Sequence, residues 1–174
     1  MLTVGGIEPR KGSLELLEAY AVARPRLPGV ALVIAGGQTL FDYRDYRARW
    51  EQRAAELEAE PVVLGPVEHD ALPALVAAAG VFAFPSAQEG FGLAAMEALA
   101  AGVPVVLANL PVFREVFAGV ARFAFAEDPA ALARQLIAGL TEPDPSARRA
   151  GCARAARYTW TAAAQRHLAW YHCL

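Results

Sequence analysis

The stretch FPSAQEGFGLAAMEALAAG, residues 84–102, decides how this chain is read. It leaves an apolar run at 81–84, crosses a turn holding Gly90 and Gly92, and enters an alanine- and leucine-rich helix that stops at Gly102, with Pro104 just beyond. The glycines let a ligand approach the backbone closely, and the free amides of Phe91, Gly92, Leu93 and Ala94 form an anion site. The helix dipole adds about 0.3–1 kcal/mol there at a surface and about 2 kcal/mol where partly buried. Two acids nevertheless flank the site, Glu89 before the glycines and Glu97 inside the helix. The same letters spell Gly90-x-Gly92-x-x-Ala95, which matches the dinucleotide-binding fingerprint.

Working outward, apolar runs suited to strands recur at 2–4, 30–35, 62–64, 81–84, 103–107 and 121–125. Helical patterns fall between and after them. One follows Ser13, one covers the charged stretch 42–58, one follows Asp70 as N-cap and ends near Gly80, and one runs from the Gly90–Gly92 turn to Gly102. Three more start at Asp128-Pro129, Asp144-Pro145 and Thr159. Strands apolar on both faces and alternating with helices predict an α/β fold. The expectation is a Rossmann-like, doubly wound, parallel six-stranded sheet with helices on both faces and extra C-terminal helices. At 174 residues the chain is one domain's length, enough to bury roughly 70% of its unfolded surface.

In a sheet of strand order 3-2-1-4-5-6 the ligand crevice lies at the carboxyl ends of strands one and four, where the winding reverses. Those strands lead into the two most unusual loops, Val4-Gly5-Gly6-Ile7-Glu8-Pro9-Arg10-Lys11-Gly12 and Pro85-Ser86-Ala87-Gln88-Glu89-Gly90-Phe91-Gly92. The topology therefore sets Lys11, the only lysine, against Glu89 and the helix start. At about 4 Å from a phosphate oxygen and an effective dielectric near 20, a lysine contributes about 4 kcal/mol before desolvation, more than the dipole does. Glu97 lies about 7–8 Å down the helix axis from the amides, at about 1.5 Å per residue. Neither acid need touch phosphate, and each suits flanking hydroxyls, for which a charged acceptor is worth about 1.5–3 kcal/mol. A nucleoside diphosphate sugar offers that pattern, with ribose hydroxyls at one end and hexose hydroxyls at the other. NAD would want the fingerprint after the first strand and an acid about 20 residues on. Here it follows strand four, and the next strand ends Leu107-Ala108-Asn109. The NAD-binding domain of a dehydrogenase and a non-catalytic nucleotide-binding module stand as the alternatives.

These residues resemble the C-terminal, donor-binding half of retaining glycosyltransferases of family 4, enzymes with two Rossmann-like domains in the GT-B arrangement. The resemblance rests on Glu89-Gly90-Phe91-Gly92-Leu93 through Glu97, the family's paired-glutamate signature, and on Phe84-Pro85-Ser86 before it. Ala101-Gly102-Val103-Pro104-Val105-Val106, Arg114-Glu115-Val116, Asp128-Pro129 and Tyr158-Thr159-Trp160 extend it over essentially the whole chain. It implies that Glu89 contacts the hexose, Glu97 the ribose and Lys11 the diphosphate, with Glu89 and Lys11 in the catalytic roles. Phe91, Gly92 and Leu93 would lend amides to hexose and phosphate, Gly90 belongs with them to the donor site, and Val67 would lie beside the base. Many members carry arginine where Gly6 stands, and Arg10 is the candidate substitute, although an extended loop would point Arg10 and Lys11 in opposite directions. Hexose transfer with retention is implied, with no cofactor and no metal. The family's acceptor-binding N-terminal domain is the expected partner. Residues 1–174 are thus expected to be a single nucleotide-sugar-binding domain, a fragment inactive alone, with Met1 directly before a strand fitting a trimmed start.

Composition bounds the remaining classes. A net charge of −2 with 20% charged and 56% hydrophobic residues argues against nucleic-acid binding and against disorder. No signal peptide is visible at the start, and the weakly polar run 71–87 is broken by Pro73, Gly80 and Pro85, short of the roughly 20 residues that span a bilayer. Cys152 and Cys173 are read as free thiols of a cytoplasmic protein. His69, His167 and His172 show no metal-ligand spacing.

Overall fold

The computed structural model describes residues 1–37 and 41–173. Strands β1 (Leu2–Val4), β2 (Val33–Ala35), β3 (Val62–Gly65), β4 (Phe82–Phe84), β5 (Val105–Ala108) and β6 (Arg122–Ala124) form one sheet in the order β3-β2-β1-β4-β5-β6. Every pairing is parallel. The winding reverses between β1 and β4, where Leu2 lies opposite Phe82. The helices are α1 (Ser13–Ala23), α2 (Arg44–Glu56), α3 (Leu72–Ala77), α4 (Leu93–Ala100), α5 (Pro111–Phe117), α6 (Pro129–Thr141), α7 (Pro145–Ala155) and α8 (Trp160–Tyr171).

The two-residue period of a strand divides the core into two layers. Phe82, Phe84, Val105 and Leu107 join Val76 of α3, Met96 and Leu99 of α4, Phe113 and Phe117 of α5 and Ala155 of α7. Val81, Ala83, Val106 and Ile34 join Leu16 and Leu17 of α1, Trp50 of α2 and Leu132 and Leu136 of α6. Full burial of each such large side chain is worth about 1.5–3 kcal/mol, so the doubly wound, two-faced arrangement follows directly from apolar strands. Edge strand β3 departs from it, because Val62, Val63 and Leu64 are all exposed.

Several local expectations change. Strand β2 begins at Val33 rather than residue 30, since its neighbour β1 begins at Leu2, opposite Val33. Asp70 is not the cap of α3. That helix has Ala71 at its N-cap without a side-chain bond, and the amides of Ala71 and Leu72 turn back to the Glu68 carbonyl. Helix α5 is not among the helices the sequence patterns suggest; Pro111 occupies its first turn and Phe113, Val116 and Phe117 form its buried stripe. Asp128, Asp144 and Thr159 do cap α6, α7 and α8 through their side chains.

Candidate active site

The carboxyl ends of β1 and β4 meet through their loops, and backbone contacts set how closely. Gly12 sits at φ 64°, and a Cβ there would lie 2.2 Å from the Pro85 carbonyl oxygen. The amide of Ala87 donates to the Arg10 carbonyl at 2.9 Å, tying the two loops together. Gly36, at the end of β2, presses on the same corner, since a Cβ on it would fall 2.2 Å from the Gly5 oxygen and 2.9 Å from the Gly6 nitrogen. Helix α2 holds the far side of the first loop. Tyr46 Oη accepts from the Leu14 amide at 3.1 Å, and Trp50 Nε1 donates to the Ser13 carbonyl at 3.0 Å. Burial, the larger influence, raises the Tyr46 pKa above the ordinary phenol value, so the hydroxyl stays neutral in this role.

The first loop is not extended. Pro9–Lys11 form a single 3-10 turn, and Arg10 and Lys11 both reach the Glu89 carboxylate instead of pointing in opposite directions as in an extended loop. Lys11 Nζ donates to Glu89 Oε1 at 2.6 Å, and Arg10 Nη1 donates to that same oxygen at 3.1 Å. Arg10 Nη2 reaches Glu8 Oε1 at 3.1 Å. The stem of Lys11 lies over Gly5, and its ammonium sits 4.5 Å from the centre of the Phe84 ring, a cation–π contact worth about 0.5–2 kcal/mol. The side chains of Lys11 and Glu89 are 18% and 13% exposed, so the pair is shielded yet reachable. Two acids and two bases make this corner charge-balanced. Sequence reasoning missed Glu8, which is buried at 5% exposure, and Phe84 as the aromatic floor; an acid before a proline carries no sequence signal of burial.

Past Glu89 the chain turns at Gly90, and Gly92 takes φ 92° as the N-cap of α4, with no side chain capping the helix. A Cβ on Gly92 would fall 2.8 Å from Phe113, so α5 fixes the helix start from beneath. Phe91 packs against Tyr158 in a tilted contact with ring centres 5.2 Å apart, and Leu93 is exposed. Glu97 lies on the exposed side of α4. It lines a cleft of about 430 Å³ with His69, Leu72, Pro73 and Val76 from the β3–α3 side. A second cleft, of about 500 Å³, adds Phe91, Tyr158, Trp160 and Arg166. Val67, half-buried, packs against the core layer that holds α3 and α4. Lys11, Arg10 and Glu89 are thus brought into contact, whereas Glu97 stands apart on the helix, facing clefts of its own. Among the described residues, no group of three or more His, Cys, Asp or Glu side chains forms a metal-holding cluster.

The arrangement can bind an anion at the lysine and the helix start, and hydroxyls at the two acids on either side. Comparisons with known proteins show which family the chain belongs to. A mannosyltransferase of Escherichia coli, O-antigen chain mannosyltransferase B, is 33% identical over 165 residues, covering 91% of this chain and 42% of that protein. Glycogen synthase of Mycobacterium tuberculosis is 36% identical over 178 residues, covering 97% of this chain and 42% of its own. Among solved structures, HepE of Anabaena in complex with UDP and glucose superposes with a TM-score of 0.83 at 26% identity, covering 99% of this chain and 48% of that one. The chain therefore spans less than half the length of these relatives. The family described as Glycosyl transferases group 1 matches residues 1–158. The chain belongs to that family, with the Rossmann-like fold of a GT-B-type glycosyltransferase domain.

Proposed function

We propose that this chain is the sugar-donor half of a retaining hexosyltransferase, binding a nucleoside diphosphate hexose between its β1 and β4 loops for transfer to an acceptor. The observation that carries the reading is the contact of Lys11 with Glu89 at the sheet's reversal point, directly before the uncapped start of α4. In this reading Lys11, Arg10 and the amides of Phe91, Gly92 and Leu93 neutralise the diphosphate as it leaves, which is where charge develops in the transition state. Glu89 accepts from hexose hydroxyls, Glu97 from ribose hydroxyls, and Val67 borders the base. Gly6 stands where the family resemblance implies a cation, and Arg10 takes over that charge. Cations and amides serve in place of a metal.

Catalysis needs about 8–23 kcal/mol of barrier lowering, and these groups stabilise bound donor and leaving group alike. Activity is accordingly assigned to the chain together with an acceptor-binding Rossmann-like domain, and the chain by itself is inactive. Cytoplasmic residence belongs to the same reading, supported by the free thiols of Cys152 and Cys173. Among the described residues, no helix is long and apolar enough to cross a membrane.

Calorimetry with UDP, GDP and ADP hexoses, and with NADH as the competing class, tests the proposal. One of the sugar nucleotides should bind and NADH should not. Glu97→Ala should weaken that sugar nucleotide by about 1.5–3 kcal/mol with the fold intact by circular dichroism. An unchanged affinity would remove the ribose assignment.

A further inference from the structure

Glu89 is the odd member of the anion site. Its Oε1 already takes hydrogen bonds from both cations, Lys11 at 2.6 Å and Arg10 at 3.1 Å. An arriving phosphate and this carboxylate therefore want the same donors. Neither cation would follow the carboxylate if it moved. Lys11 is held over Gly5 and the Phe84 ring, and Arg10 is held from behind by Glu8.

Resting on the reading above, we propose that Glu89 is a tethered competitor that makes this site select sugar-bearing diphosphates over bare ones. A bare diphosphate must displace the carboxylate from Lys11 and Arg10 and leave it without a partner beside a second anion, which is costly for a group this shielded. A hexosyl diphosphate supplies hydroxyls that donate to the displaced carboxylate, so the cost is offset for that ligand alone. Once the hexose has left, those hydroxyls are gone. The carboxylate then returns to the two cations and drives the nucleoside diphosphate out. Glu89 thereby couples loss of the sugar to release of the product.

Inorganic pyrophosphate is the probe, since it carries the anion without base or sugar. Titration calorimetry is run on the wild-type chain and on E89Q, E89D, E97Q and K11A, each checked by thermal melting. Loss of one competing charge should tighten pyrophosphate binding by about tenfold in E89Q, equal to about 1.4 kcal/mol. E89D, which keeps the charge, should stay near wild type, and E97Q, which removes an equal charge from the helix without touching either cation, should change binding less than about twofold on the same scale. Pyrophosphate affinity in E89Q equal to or weaker than wild type overturns the proposal. So does an equal gain in E97Q, which would mean long-range charge alone. If E89Q does not fold, E89A takes its place with the same expected gain. K11A separates this inference from the function it rests on. If K11A loses binding while E89Q fails to gain, only the competitor role falls; if K11A binds as wild type does, the anion site itself is misplaced and both fall.

Discussion

The β1 and β4 loops and helix α8 are built on opposite plans. In the loops, backbone meets backbone: Gly12 against the Pro85 carbonyl, Gly36 against Gly5, the Ala87 amide on the Arg10 carbonyl. Helix α8 has a good cap in Thr159 and no buried residue, with Trp160, Leu168, Trp170 and Tyr171 all exposed. Close backbone contact is thus concentrated where the charged side chains of Lys11, Arg10 and Glu89 meet. Apolar surface is left exposed along α8. A patch of exposed aromatics of this kind is typical of a surface that meets another one.

The sharpest way to break this contrast is Gly12→Ala, which adds both a left-handed strain and a clash with Pro85 backbone. Stability should fall by about 3 kcal/mol or more, read as a shift of the denaturant midpoint; a wild-type midpoint would show that the loops yield. Next in size, Lys11→Ala should weaken nucleoside diphosphate binding by about 2 kcal/mol, close to thirtyfold, while the lost contact with Phe84 lowers stability by about 0.5–2 kcal/mol. Asp144→Ala removes the cap whose carboxylate accepts from the Ser146 and Ala147 amides, and should lower stability by about 1 kcal/mol in urea unfolding. Smallest of all, Trp160→Ala, at a side chain 89% exposed, should shift stability by less than about 0.5 kcal/mol. A loss near that of a core tryptophan would erase the distinction between the two regions.

Most of the sheet was legible because its cause is local. Apolar runs buried on both faces, separated by capped helices, leave few orders, and the two glycine-bearing loops marked where β1 and β4 meet. The contact of Lys11 with Glu89 followed from that topology alone. What escaped the sequence depends on geometry that letters do not carry. The direction of Arg10 turns on whether residues 9–11 are extended or form a 3-10 turn. The burial of Glu8 depends on Arg10 reaching back to it. Asp70 reads as a cap by type, yet the Glu68 carbonyl closes the turn before α3 instead. Helix α5 is brief and follows β5 almost at once, so its pattern is too short to stand out, although Pro111 signalled its start. The exposure of β3 is a matter of position at the sheet edge, not of composition, since Val62, Val63 and Leu64 are as apolar as the residues of β5.

The solitary lysine has a practical consequence. An amine-directed acylating reagent has one side-chain target in this protein, and that target is the ammonium held against Glu89 and Phe84. Acylation would erase the only tryptic cut after a lysine, so the mass of a single peptide reports the reactivity of that one amine. On the proposed function, a bound diphosphate would change that reactivity, and the same peptide would read it out.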